Sequence, residues 1–298
     1  MCLKSFFLLA TISFVAPTLG AYADFSIVDD FGHNVVLSAP AKRIVALYGS
    51  FNEVLYSMNS GELLVGRTAA DHYPEQIAVL PSIGTHMRPN PELIVALKPD
   101  LVLQMAGRSQ AATVLDPLRV KGISCAMFKV SSFEELFSMI ERIGILIDRK
   151  DRSSLLIDSM RKRLDVVHEM SADLKNRPSV FFEVRYPNLL AAGQGSIVSD
   201  IISKAGARNC VRNFKKIVRM GEEELFRLDP ENYVYQVGRM NPSPVKLQQR
   251  NHFKMLKSVS SNRTLKVDES VFSRPGPRNV DAVEILAKFL FDKREINE

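Results

Sequence analysis

Short apolar runs punctuate this chain and alternate with longer amphipathic stretches. Arg43-Ile44-Val45-Ala46-Leu47, Leu63-Leu64-Val65-Gly66, Leu101-Val102-Leu103 and Ile123 to Phe128 read as buried strands. Between them, Asn52 to Met58, Glu92 to Leu97 and Ala112 to Val120 carry helical spacing, and Phe133 to Ile147 closes this half as a helix. Apolar runs without polar alternation are buried on both faces, and strands that alternate with helices predict a parallel sheet. Ahead of them, Phe25 to Val28 and Val35 to Leu37 flank Asp29-Asp30-Phe31-Gly32-His33-Asn34, which is the pattern of a hairpin.

The stretch from 149 to 174 breaks this rhythm, with no strand pattern and no glycine. Leu156, Met160, Leu164 and Val167 step along one helical face, and charged residues fill the rest. One long helix is expected, ending before Arg177-Pro178, where proline disfavours continuation. Strands then resume at Val180 to Val184, Leu189 to Ala192, Tyr233 to Val237 and Leu265 to Val267. A helix from Ile197 to Ala205 stops at Gly206, and another from Val280 to Leu290 ends the chain. The pattern predicts an α/β fold: two Rossmann-like lobes with parallel sheets, joined by one connecting helix. The boundaries fall at 24–147, 148–175 and 176–298.

The two halves contain the same unit. Glu92, Leu97, Pro99-Asp100, Val102, Gln104 and Gly107-Arg108 recur as Glu223, Leu228, Pro230-Glu231, Val234, Gln236 and Gly238-Arg239. The Glu-to-Leu, Glu-to-Pro and Glu-to-Gly intervals match, and only the strand residues Val and Gln slip by one. A duplicated unit lets two lobes face one another across a cleft.

Residues 1–23 have the composition of a signal peptide: Lys4, the apolar run Phe6 to Ala16, and Ala21-Tyr22-Ala23 as the cleavage signal. Its apolar run is too short to span a bilayer, which takes roughly 20 residues, and Cys2 lies too far from the cut to carry a lipid. A soluble periplasmic protein is expected. Cleavage removes Lys4 and no carboxylate, so the formal charge falls from +6 to +5. Export permits a disulfide, but Cys125 and Cys210 fall in different expected lobes, and neither belongs to a CxxC motif.

These pieces resemble a known family. Arg43 to Leu47, Pro81-Ser82-Ile83-Gly84, the run Asn90 to Leu103 with its Leu97-Lys98-Pro99-Asp100 core, and the closing Ser273-Arg274-Pro275-Gly276-Pro277-Arg278 are similar to periplasmic binding proteins for vitamin B12, ferric siderophores and haem. The resemblance implies a clamp on a stiff helix, delivering its ligand to an ABC importer permease and partnering, through it, with the importer's ATPase. It also implies that Glu92 and Glu223 dock against permease arginines. No nucleic-acid partner and no intrinsic cofactor are expected, and the protein should be a monomer.

Ligands of open α/β lobes bind beyond the carboxyl ends of the strands. The loops there offer Arg67, Arg88 and Arg108 in the first half, and Arg185, Arg239 and Arg274 in the second. Tyr48, Tyr73, Tyr186, His86, Gln104, Gln194, Gln236 and Phe272 accompany them. Forked guanidinium groups grip carboxylates and phosphates, and tyrosine supplies a flat face with a polar tip. That set suits a bulky chelate with peripheral negative charge: cobalamin, a ferric siderophore or haem. A tyrosine or histidine could also ligate haem iron, with Tyr48, Tyr73 and His86 as the candidates. His72 and His86, with Asp71, are the candidates for a bare-metal site. Gly193-Gln194-Gly195-Ser196 reads as a tight turn with Ser196 as the helix cap, or as an anion cradle. The alternatives are a chelatase-like tetrapyrrole enzyme using His86 or Glu183, and a bare transition-metal binding protein.

Overall fold

The computed structural model describes residues 25–107, 113–171 and 176–291. The signal-like segment, Arg108 and the expected end of the connecting helix therefore lie outside the described residues. The chain opens with a hairpin, β1 (Phe25–Val28) and β2 (Asn34–Leu37). It continues through β3 (Ile44–Ala46), α1 (Gly49–Ser57), β4 (Leu64–Gly66), the short pair β5 (Gly84–Thr85) and β6 (Arg88–Pro89), and α2 (Pro91–Ala96). β7 (Leu101–Met105), α3 (Asp116–Val120), β8 (Ser124–Phe128) and α4 (Phe133–Leu146) complete the first half. The first sheet has the order β4-β3-β7-β8 and is parallel throughout.

The connecting helix α5 (Lys150–Ser171) buries Ile157, Met160, Leu164 and Val167 on one face. Its charged side reaches the far half: Arg163 bonds Asp281 at 2.6 Å and Glu284 at 2.6 and 2.8 Å. The second half holds β9 (Ser179–Arg185), β10 (Leu190–Ala192), α6 (Ile197–Lys204), β11 (Arg208–Asn209), β12 (Ile217–Arg219) and α7 (Glu222–Leu228). β13 (Asn232–Val237), α8 (Lys257–Ser260), β14 (Thr264–Asp268), α9 (Glu269–Phe272) and α10 (Asn279–Phe291) follow. Its sheet order is β12-β10-β9-β13-β14, with β11 beside β9.

This second sheet is mixed. β13 runs parallel to β9 and β14, but β10 pairs antiparallel with both β9 and β12. The reason is the length of the connection after β9. Tyr186 to Leu189 can turn the chain back as a hairpin, whereas a parallel return needs a crossover of a dozen residues or so.

The repeat has a structural counterpart. Lys98 and Asp229 both adopt left-handed backbone, with φ of 46° and 34°, just before their prolines. The acid after each proline then ties down the start of the neighbouring strand. Asp100 accepts from the backbone N–H of Lys42 (2.8 Å) and Arg43 (3.0 Å), ahead of β3. Glu231 accepts from the N–H (2.6 Å) and hydroxyl (2.9 Å) of Ser179, which begins β9.

One apolar core runs through both halves. It joins Phe51, Phe128 and Phe133 of the first to Ile197, Phe272 and Val283 of the second, with the buried face of α5 between them. Two smaller clusters fill the outer layers, around Val102 and Ile94 in one half and Phe181 and Phe253 in the other. Each side chain of this size contributes roughly 2 kcal/mol when fully buried, so the inner layer resists separation of the lobes. Cys125 and Cys210 are buried, unpaired thiols in opposite halves, and burial pushes each up to about 12.

Candidate functional site

A cleft of about 460 Å³ opens between the two halves. Tyr48, the segment Ala70 to Tyr73 and His86 line it from the first. Val184, Ala192, Ile197, Lys216, Met240, Glu269 and Arg274 are among those lining it from the second. Strand ends and helix starts place these groups: Tyr48 immediately precedes α1, and Glu269 opens α9. Ligand sites of α/β sheets lie beyond the carboxyl ends of their strands, and this cleft does too.

The structure brings Tyr48, His72, Tyr73, His86, Arg239 and Arg274 together in the cleft. Tyr48 meets His86 edge to face, with ring centroids 5.8 Å apart. Burial raises the Tyr48 hydroxyl above its ordinary value. Burial also holds the His86 imidazole below its ordinary value; Asp71 opposes this, and Arg239 and Arg274 reinforce it. Tyr73 is 47% exposed, and the Arg278 guanidinium lies 4.1 Å from its ring centroid.

Other expected residues lie elsewhere. Gln104, Gln236 and Phe272 are buried in the body of the lobes. Gln236 donates to Val184 O at 3.1 Å, and Phe272 stacks on Phe182 at 5.9 Å. Both lie at strand or helix ends, yet their side chains turn inward to satisfy the core. Gln194 donates to Val211 O at 2.8 Å, which ties it to its own loop. Arg67 bonds the carbonyls of Thr68 and Asp71, each at 3.2 Å, so it positions the segment that carries Asp71 rather than facing the cleft. Arg88 is exposed on β6 and does not line the cleft. Arg185 and Tyr186 line a separate, shallower depression of about 330 Å³ with Asn188 and Pro242.

Glu183 is fully buried and is held by Arg250 through both carboxylate oxygens, and by Tyr233 at 2.6 Å. The Arg250 guanidinium in turn lies 4.1 Å from the Tyr186 ring centroid. This ion pair belongs to the outer core of the second lobe, away from the cleft. Among the described residues, no group of three His, Cys, Asp or Glu side chains converges to hold a metal ion.

The sequence reading missed four groups that shape the cleft: Glu53, Asp71 as an arginine partner, Arg278 as a site residue, and Lys216. The Glu53 carboxylate takes two bonds from Arg278, at 2.7 and 2.8 Å, across the lobe boundary. Arg274 sits 3.7 Å from Asp71 and 4.0 Å from Glu53. The Ser50 hydroxyl donates to Pro275 O over the same boundary. Arg278 was within reach, since it ends the Ser273-to-Arg278 motif. Glu53 carried no signal, because a helical glutamate is ordinarily solvated.

Gly193 and Gly195 explain their own motif. A Cβ on Gly193 would meet Lys215 O at 2.1 Å, and one on Gly195 would meet Phe214 O at 2.4 Å. The backbone of the 213–216 segment is seated directly on the glycines, with Gly193 N bonded to Lys216 O at 3.1 Å and Gln194 N to Asn213 O at 2.8 Å. The motif is a seat for the segment that brings Lys216 to the cleft, and Ser196 caps α6.

Two α/β lobes on a shared inner core, with a lined cleft between them, define a two-lobe ligand-binding protein. The chain belongs to the periplasmic binding protein family, whose sequence profile matches residues 44–284. It is 27% identical over 271 residues to YvrC of Bacillus subtilis, an uncharacterised ABC transporter substrate-binding lipoprotein, covering 89% of this chain and 85% of the relative. It is 25% identical over 266 residues to a vitamin B12-binding protein of Photorhabdus laumondii, covering 89% and 93%. In fold it is similar to the solved ABC-type Fe3+-hydroxamate transport protein of Saccharomonospora viridis, with a TM-score of 0.73, 22% identity and coverage of 89% and 98%.

Proposed function

We propose that this chain is the periplasmic substrate-binding component of an ABC importer for a metal chelate, namely cobalamin, a ferric siderophore or haem. The observation that carries this is the cleft itself: both lobes line it, with Tyr48, Tyr73 and Ile197 as apolar walls and His86, Lys216 and Arg239 as polar groups. A relative named for vitamin B12 and a neighbour named for ferric hydroxamate transport support the ligand class. In this reading residues 1–23 are removed on export, the lobes divide at 147/148 and 175/176, and the protein acts as a monomer. It carries the chelate unchanged rather than transforming it.

Glu92 and Glu223 support permease docking. Each is exposed in the first turn of equivalent helices, α2 and α7, and neither makes an ion pair among the described residues. Neighbouring acids are engaged otherwise: Glu222 accepts from Tyr186 Oη at 3.0 Å, and Glu224 pairs with Arg227 at 2.6 Å. Two unpaired carboxylates on matching edges suit two cationic patches on a membrane partner.

The test is a visible absorption spectrum of the desalted protein after exposure to each chelate. One equivalent of retained corrinoid, siderophore or haem chromophore is expected. Retention of none of them would overturn the reading.

A further inference from the structure

Between Asp200 and Glu222 the chain carries six cations, Lys204, Arg208, Arg212, Lys215, Lys216 and Arg219, and no acid. Within that stretch the loop joining β11 to β12 presents Phe214, which is 87% exposed, whereas no other aromatic side chain among the described residues reaches half exposure. Arg212 and Lys215 flank it. Both are exposed, and neither pairs with a carboxylate among the described residues.

The backbone holds the ring out. Phe214 O and Lys215 O lie where a Cβ on Gly195 or Gly193 would stand. Gln194 donates from its N–H to Asn213 O and from Nε2 to Val211 O, each at 2.8 Å, and Lys215 N donates to Asn213 Oδ1 at 2.9 Å. A loop seated this way cannot fold Phe214 back onto the lobe, although a phenylalanine is ordinarily buried. Cations at a sheet edge can simply block pairing with another sheet. Arg219, exposed on the edge strand β12, serves that purpose, but the same reason does not account for Phe214.

We propose that the 212–216 loop is a membrane-contact tip that binds anionic phospholipid headgroups. Arg212 and Lys215 meet the lipid phosphates, and the Phe214 ring enters the headgroup layer between them. The run Arg212-Asn213-Phe214-Lys215-Lys216 offers one apolar anchor among three cations. That is too little apolar surface for the core of a stable protein interface, but cations beside an inserting aromatic suit an anionic bilayer. The contact would hold the protein at the membrane surface whatever ligand it carries.

The chain has no tryptophan, so Phe214→Trp supplies a single reporter at the tip. Its emission is followed on vesicles of equimolar phosphatidylglycerol and phosphatidylcholine, on pure phosphatidylcholine vesicles, and with inorganic phosphate alone. A blue shift is expected on the anionic vesicles only, reversed by high salt. Vesicle cosedimentation then measures otherwise unlabelled variants. Arg212→Gln combined with Lys215→Gln should weaken binding about thirtyfold, since each cation contributes about 1 kcal/mol at an anionic surface. Phe214→Ser should weaken it about tenfold. All of these positions are exposed, and an unchanged urea midpoint checks that the variants fold. No shift on anionic vesicles, an equal shift with inorganic phosphate, or anionic-vesicle binding that survives both sets of substitutions would overturn the proposal. Phe214-dependent binding to the importer in neutral-lipid nanodiscs, without binding to anionic vesicles, would overturn it too and assign the tip to a protein partner. Chelate retention should be unchanged in every variant, so failure here leaves the carrier reading standing.

Discussion

Glu53 fixes the floor of the cleft. It projects from α1 of the first lobe, yet its bonding partners, Arg278 and Arg274, belong to the second. Replacing one member of a buried pair leaves the other uncompensated. Glu53→Gln should therefore lower unfolding stability by about 2 kcal/mol, read as a fall in the urea midpoint at unchanged slope. An unchanged midpoint would mean the cross-lobe pair contributes nothing. His86 gives the second residue-scale expectation. Burial favours its neutral form, so the unfolded chain takes up a proton at higher pH than the folded one. Stability should then be greatest above the ordinary histidine range and fall as pH drops below about 6.5. His86→Gln should flatten that part of the pH profile, and a slope identical in the variant would assign it to other groups. Asp71, Arg239 and Arg274 all act on this imidazole, so the variant is compared at one ionic strength.

At the scale of elements, α2 and α7 present the same device twice. Each follows an extended residue, carries acids in its first turn and ends in a left-handed residue or turn before proline. Helix starts favour carboxylates through the backbone dipole, but Glu92 and Glu223 are exposed and make no ion pair among the described residues. Glu92→Ala combined with Glu223→Ala should abolish stimulation of the reconstituted importer while leaving chelate affinity intact; full stimulation by that double variant would remove the docking role. This pairing was legible in the sequence, because equal intervals between Glu, Leu and Pro survive duplication. The strands, α5 and Gly206 at its φ of 80° were legible for the same kind of reason: periodicity and backbone freedom are local. The antiparallel β10 and β12 were less so, since a short run such as Leu190–Ala192 reads alike in either direction. The arginine loops were legible only in position. Sequence placed an arginine near each strand end but could not say where its guanidinium turned. Arg67 folded back on its own loop, Arg274 found Asp71, and Arg239 and Lys216 were left to face the cleft.

For the whole molecule, the inner core and the cross-lobe ion pairs act together. Phe51, Phe133, Ile197 and Phe272 belong to one apolar cluster, α5 crosses between the lobes without a glycine joint, and Phe133 N is bonded to Asp200 of the other lobe at 2.7 Å. Such a body can rock by small amounts but cannot open widely without exposing its core. On the proposed carrier reading, ligand would enter through the mouth of the cleft, and release would need a partner that strains the lobes apart. On the proposed reading the chelate sits between the lobes. Anomalous X-ray scattering from crystals of the chelate complex, collected at the metal edge, tests it most directly. One anomalous peak bounded by Tyr48, His86, Lys216 and Arg239 is the expected result. A peak on an outer face of either lobe, or in the depression beside Arg185, would contradict it.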